Sequence, residues 1–518
     1  MSRKRFTKCK VVQLRKKVAC HFSLIFKDIY YTIFPDVIIF ISLRIAKSFF
    51  MELQIKMKNK SRKIIKKALK ITAGLIVLLV VVIAVLVVLN WESISIMLIN
   101  RELHGPVDTI PQAADPGSLP ITRGESDWVC WRGPNGDGRS SMTRILTDWS
   151  AGLEKKWEVD FLCRHRSSVT WSAPVIQGNR LVVCGRDKVN DLVFCLSPED
   201  GSLIWKAAYP AEAGTNYGTG SRATPWIDNH RVYTFGRSGD LVCWSLRDGS
   251  KLWHKNVNDE GGQEPTWGHS TSPLVTDTLV VVNGGGTART IAYDKMNGNV
   301  VWKSGSGPAG YAGLRTMPIE GKPVLLTFHG KGLAALAPGD GKELWNTTWE
   351  TTNDVNATTP VTAGDLVFIT SGYGTGCELL EVSGTGARVV WKNKAIASFH
   401  SDPFIINGHI YGYSGQSTQN KGVFKCVELW TGTEKWSTNE MGWGTCVYVD
   451  GFLLCCDIKG NLYLMKPDPE KFIKVTGMPG ALGKIRGAAW TVPVLANDKL
   501  YLRFKQKLVC YEIISPLK

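Results

Sequence analysis

Beyond residue 128 this chain of 518 residues has no stretch with the 3.6-residue apolar period of an amphipathic helix. That absence excludes helical bundles and doubly wound α/β architectures for most of its length. Its 13 cysteines include no Cys-x-x-Cys and no Cys-x-x-Cys-His, which leaves thiolate zinc sites, thioredoxin-like chemistry and attached haem without sequence support. A surplus of one charge is missing as well, although the net charge of +17 suggests otherwise. Residues 1–70 hold 19 Lys and Arg against three acids, Asp28, Asp36 and Glu52, so the remaining 448 residues carry 43 bases and 42 acids. A domain that is electrically balanced lacks the basic footprint of nucleic-acid binding, and no nucleic-acid partner is expected.

What the chain does have is first a long apolar run, "ITAGLIVLLVVVIAVLVVL" at 71–89, without charge or proline. About 20 such residues span a bilayer's hydrocarbon core, whereas the apolar part of a cleaved signal is about 7 to 15 residues. The basic residues just before it, Lys56 to Lys70, are expected to stay in the cytoplasm, which puts everything after about residue 90 on the extracytoplasmic side. The expected arrangement is a single-pass inner-membrane protein with a cytoplasmic segment at 57–70, an uncleaved signal anchor at 71–90 and a linker at 91–127. Residues 1–56 precede a complete basic-then-apolar export segment starting at Met57 and are read as a non-native or disordered extension. Eleven cysteines lie after residue 128. Several, including Cys195, Cys243, Cys426 and Cys510, occupy strand-like positions where a small buried side chain suffices, so packing is their expected role.

A phrase repeats through the rest. A turn with glycine followed by a tryptophan strand recurs as "DGSLIW" (Trp205), "DGSKLW" (Trp253), "NGNVVW" (Trp302), "DGKELW" (Trp345) and "TGTEKW" (Trp436), with a one-residue insertion in "GTGARVVW" (Trp391). "KKWEVDF" supplies Trp157 without the turn, and Phe472 stands where an eighth Trp would fall. Before each ending comes an alternating apolar strand, a Gly-, Asn- or Asp-rich turn and a second alternating strand, the pattern of a β-hairpin. Four strands per unit of 36 to 49 residues, eight times over, predict an all-β fold: an eight-bladed β-propeller over 128–518, preceded by one transmembrane helix. Because the chain starts with a lone Trp strand and ends with a blade lacking one, residues 155–161 are expected to close the ring as the outer strand of the last blade.

"AYDKMNGNVVW" at 292–302 carries Ala292, Asp294, Gly298 and Trp302 in the spacing Ala-x-Asp-x-x-x-Gly-x-x-x-Trp, which resembles the docking motif of the pyrroloquinoline-quinone-like (PQQ-like) β-propeller family. Cys195, Cys243, Ala335 and Cys426 hold the small first position in other copies. The lead-in "WVCWRGPNGDGRSS" at 128–141 is similar to the opening of a bacterial envelope group of such proteins; Asn135, Asp137 and Gly138 suggest a Ca²⁺ loop, but the further acidic ligands are missing and a turn packed under the ring is expected. The resemblance implies that Trp157, Trp205, Trp253, Trp302, Trp345, Trp391 and Trp436 dock each blade on the next. It also implies one of two functions. The first is a non-catalytic, BamB-like scaffold that binds an envelope protein or a small polar or anionic ligand, as a monomer with no cofactor. The alternative is a PQQ- and Ca²⁺-dependent quinoprotein dehydrogenase oxidising an alcohol or sugar. Adjacent cysteines are a feature of the dehydrogenases, but Cys455 and Cys456 fall inside a predicted strand, where neighbours face opposite ways.

In a propeller the innermost strands start at one axial mouth, so residues just before each hairpin share a funnel. These are Trp171, Arg222, Trp267, His269, Arg315, Asn356, His400, Asp402, Arg486 and Trp490. Arg, His and Trp converging there suit an anionic or sugar-like ligand or a peptide segment, through charge-assisted hydrogen bonds and stacking. Equally, such residues satisfy carbonyls and fill the channel. No nucleophile and base can be paired by spacing, and no catalytic residue or metal ligand is assigned.

Overall fold

The computed structural model describes residues 62–91, 120–165, 168–214, 217–416 and 422–515, so the reading of 1–56 and residues 92–119 of the 91–127 linker lie outside the described residues. The chain separates into two compact units, Met1–Leu89 and Asn90–Lys518. In the first, helix α1 (Arg62–Leu89) contains Thr72–Leu89, a window of mean hydropathy 3.3 with none of it buried. By length and composition α1 can cross a membrane.

The second unit is a propeller of eight sheets. Blade 1 is formed by Val175–Gln177, Arg180–Arg186, Asn190–Leu196 and Leu203–Pro210, and every later blade repeats this antiparallel meander. Tight turns come from residues that tolerate a left-handed backbone: Asn407-Gly408, Asp450-Gly451 and Asn497-Asp498 each have two successive positive φ angles, the type I′ geometry that matches strand twist. Second strands are buried on both faces, as Arg180–Arg186 is throughout, because each blade is sandwiched between two others. Outer strands such as Lys251–Asn256 bury chiefly the Trp.

The repeated phrase is explained by one joint. The indole N–H of Trp205 donates to Leu246 O at 2.9 Å, Trp253 to Lys295 O at 3.1 Å, Trp302 to Pro338 O at 3.0 Å, Trp345 to Ser383 O at 3.0 Å, Trp391 to Leu429 O at 2.8 Å and Trp436 to Asp468 O at 2.9 Å, each reaching the following blade. The ring lies on the turn glycine of that blade: a Cβ on Gly341 would stand 2.4 Å from Trp302 and one on Gly249 2.6 Å from Trp205. Those glycines also have positive φ (72° and 71°), so close approach and backbone conformation both call for Gly. Directly across the strand pair from the Trp stands the small residue of the motif, Cys195 opposite Trp205, Ala292 opposite Trp302 and Ala335 opposite Trp345. A larger side chain there would press on the indole.

The ring closes with the same joint. Strand β2 (Lys155–Val159) pairs with Lys507–Glu512 as the outer strand of blade 8, two residues shorter than the expected 155–161. Trp157 donates to Pro198 O of blade 1 at 3.0 Å. The junction of blades 7 and 8 departs from the sequence reading. Phe472 precedes its strand and packs on Trp436, with centroids 6.0 Å apart, and the position opposite Leu464 is Thr476. Trp149, just after the lead-in, fills this place instead: it is buried in the cluster shared with Leu464 and Leu482, its backbone N–H donates to Thr476 Oγ1 at 3.1 Å, and its indole N–H donates to Leu146 O at 3.0 Å.

Candidate functional site

The lead-in packs against the innermost strands of several blades. Trp128 bridges to Ile176 of blade 1, and Val129 O accepts from Ile227 of blade 2. Trp131 donates to Thr359 Oγ1 beside blade 5 at 2.9 Å. Arg132 pairs with Asp402 beside blade 6 at 2.7 Å, and strand β1 (Arg139–Ser140) runs parallel to Tyr448–Val449 of blade 7. Asp137 accepts from Arg139 N of its own loop at 3.0 Å, an Asx-type turn. The segment thus floors the axial channel.

Above this floor is a cavity of about 330 Å³ whose lining combines the floor residues Trp128, Trp131 and Arg132 with residues from the mouths of the blades. Of the ten residues expected there, Trp171, Arg222, Trp267, His400, Asp402 and Trp490 line it. The other four lie elsewhere. His269 is buried against Phe235, with centroids 5.2 Å apart. Asn356 is buried too, its amide donating to His329 O at 2.7 Å and Trp349 O at 3.2 Å and accepting from Ser371. Arg315 holds the underside of the floor through Asn135 O, and Arg486 is exposed outside the lining. Asn356 is the clearest case of a polar residue read as a ligand contact that instead satisfies loop carbonyls.

Sequence reasoning missed the floor and a set of aromatics contributed by loops, Tyr217, Tyr311, Tyr373 and Phe399. The repeat pattern marks hairpins, not the loops between them; the Trp-x-x-Trp-Arg of the lead-in was the one usable signal. Around the cavity runs an aromatic wall. Trp490 sits 4.9 Å from Trp171, 5.9 Å from Tyr217 and 5.7 Å from His400, and His400 sits 4.7 Å edge-on to Trp443. On the opposite side Trp267 and Tyr311 are 5.7 Å apart.

Polar groups in this wall are few. Arg222 donates to Trp267 O and to Tyr217 O; desolvation, with Arg237 nearby, pulls its guanidinium down to about 9. Burial among aromatics lowers the His400 imidazole to about 3, so it is neutral at physiological pH. Its Nε2, the Trp443 indole N–H and the Thr445 hydroxyl are buried without a hydrogen-bond partner among the described residues. Unmet buried polar groups are costly; His400 and Thr445 belong to the cavity lining and Trp443 packs behind His400, so two such groups face a guest able to hydrogen-bond them.

A quinone and Ca²⁺ are the groups this fold would lead one to test. Ca²⁺ wants six to eight oxygens, mostly carboxylate and carbonyl. The cavity's one acid, Asp402, is engaged by Arg132 and by Thr359 N at 2.8 Å. Among the described residues no group of three or more His, Cys, Asp or Glu side chains is placed to hold a metal. The residues do not fit a calcium centre. Cys455 and Cys456 face opposite sides, in different core clusters.

A sequence profile described as "Outer membrane protein assembly factor BamB" matches residues 191–438. BamB from Moraxella catarrhalis is similar in structure, with 16% identity, 67% of this chain and 95% of that one covered, and a TM-score of 0.50. Quinohemoprotein alcohol dehydrogenase from Comamonas testosteroni is similar at 12% identity, over 82% and 85% of the two chains, with a TM-score of 0.53. Tetrathionate hydrolase from Acidithiobacillus ferrooxidans is 22% identical over 198 residues, 36% of this chain, and the match spans only 38% of that relative's length. The repeated Trp joint, the four-stranded blades and the profile match over residues 191–438 together support a PQQ-like β-propeller.

Proposed function

We propose that this protein is a non-catalytic binding module of the cell envelope, tethered by α1, whose floored funnel captures an extended segment of an envelope protein. The observation that carries this reading is the pairing of a broad aromatic wall with buried, unpartnered polar groups at His400 and Thr445 in the lining. A peptide offers both complements, apolar side chains for the rings and backbone carbonyls for the donors. The matched profile, described as an assembly factor, supports the same reading. A photo-crosslinker at Tyr373, on the exposed rim, is expected to trap an envelope protein in vivo, and Arg222→Glu or Trp490→Ala is expected to abolish the adduct. An adduct unchanged by both substitutions would remove the funnel from the interaction.

The quinoprotein reading rests on the fold likeness to the alcohol dehydrogenase alone. Adding PQQ and Ca²⁺ is expected to give neither a bound quinone absorbance nor dye-linked alcohol oxidation; turnover would replace the binding-module reading.

A further inference from the structure

Blade 7 begins with Gly444–Val449 and Phe452–Asp457, joined by the two-residue turn Asp450-Gly451, with φ of 50° and 83°. Such a turn makes its flanking pair, Val449 and Phe452, a hydrogen-bonded one, and the pairs then alternate inward. Tyr448 and Leu453 are non-hydrogen-bonded, Val447 and Leu454 hydrogen-bonded, and Cys446 and Cys455, register partners, non-hydrogen-bonded. In that class Cα atoms are about 4.5 Å apart and the side chains lie closest, inside the roughly 4.4–6.8 Å range of disulfides but at its short, strained end. Both cysteines are unbonded in this structure, and Cys446 lines the funnel. Among the described residues no other two cysteines are register partners.

We propose that Cys446 and Cys455 form a reversible dithiol–disulfide couple in the funnel wall, oxidised by a low-molecular-weight disulfide that enters through the mouth. The Cys446 thiolate attacks one sulfur of that molecule and displaces the first free thiol, leaving a mixed disulfide. The Cys455 thiolate then attacks Cys446 Sγ, displaces the second thiol and closes the cross-strand bond. Two protein thiols lose two protons and two electrons, and the incoming disulfide leaves as two thiols. A short Cα separation strains the product, which makes it easy to reduce. Burial holds the Cys446 thiol well above its ordinary value, so exchange quickens as pH rises. The bond would pin the inner hairpin of blade 7 beside Thr445, one of the unpartnered donors, coupling redox state to the end of the funnel where those donors lie.

The full chain in detergent, folded by near-UV circular dichroism, is incubated with glutathione disulfide at pH 8.5, alkylated and cleaved at Asp450, which separates the two cysteines. The expected result is a link between the 446 and 455 positions, lost on dithiothreitol treatment, absent in Cys446→Ser and Cys455→Ser, and retained in Cys456→Ser. Formation should be several-fold slower at pH 7. Wild-type protein that stays reduced while folded, or a link that runs to Cys456 or another cysteine, would overturn the proposal; the wild-type map decides even if a Ser variant fails to fold.

Discussion

At the scale of residues, the funnel's chemistry comes from burial more than from charge. His400, pulled down to about 3, and His269 and His329, both pulled down to about 4, are desolvated imidazoles that the folded chain keeps neutral. An unfolded His binds its proton near pH 6.5, so as pH falls below that value unfolding takes up protons that the native state refuses. Stability is therefore present above about pH 6.5 and lost on acidification towards pH 4, at about 1.4 kcal/mol per pH unit for each such histidine. Urea titrations between pH 7 and pH 5 are expected to show this decline, with a shallower slope in His400→Phe; an unchanged slope would mean that His400 charges in the fold. The Arg132–Asp402 pair, with side chains 7% and 5% exposed, makes a second expectation. Asp402→Asn leaves a buried guanidinium uncompensated and should cost about 3 to 5 kcal/mol, read as a lower denaturation midpoint, together with loss of the photo-crosslink as the floor loosens.

At the scale of elements, the blade joint is an indole lying on a glycine and bonded to a carbonyl. Trp253→Ala removes the ring from Gly298 and the bond to Lys295 O, and should destabilise the propeller by about 3 to 5 kcal/mol. Deleting β2 takes away both the outer strand of blade 8 and the seal on blade 1, so a single cooperative melting transition is expected to disappear; its retention would show that the ring stands without its clasp. This joint was legible in sequence because it is local and repeated: turn, glycine, spacer and Trp fall within a dozen residues. The funnel was legible only by half for the opposite reason. Trp171 and Trp490 could be placed from the hairpin phase, but whether Asn356 points to the axis or back to His329 O depends on loop geometry that no period encodes. The blade 7–8 junction was misread at Phe472 because its filler, Trp149, arrives from more than 300 residues away.

At the scale of the whole molecule, α1 offers an apolar surface on a chain whose propeller, by composition, is electrically balanced. A charge at the centre of a spanning helix costs about 2.5 to 3.5 kcal/mol. Val80→Arg combined with Val81→Arg should therefore shift the protein from the carbonate-resistant membrane fraction to the soluble one, which fractionation and immunoblotting would read. Unchanged retention would mean that α1 is not the anchor.

The floor and the clasp also set a timetable. Residues 128–159, among the first of the propeller to be made, find their partners from blade 1 to blade 8: Ile176 at the start, Tyr448 late, and Lys507–Glu512 at the end. Contacts of such sequence separation form slowly, after the entropy of closing the loop between them has been met. Trp128 can meet Ile176 early, whereas Trp131 waits for Thr359, Trp149 for Thr476 and the strand of Trp157 for Lys507–Glu512. Blades can form in order as the chain emerges, but the floor finds its Tyr448 partner only when blade 7 is made, and the ring shuts only when Lys507–Glu512 takes up β2.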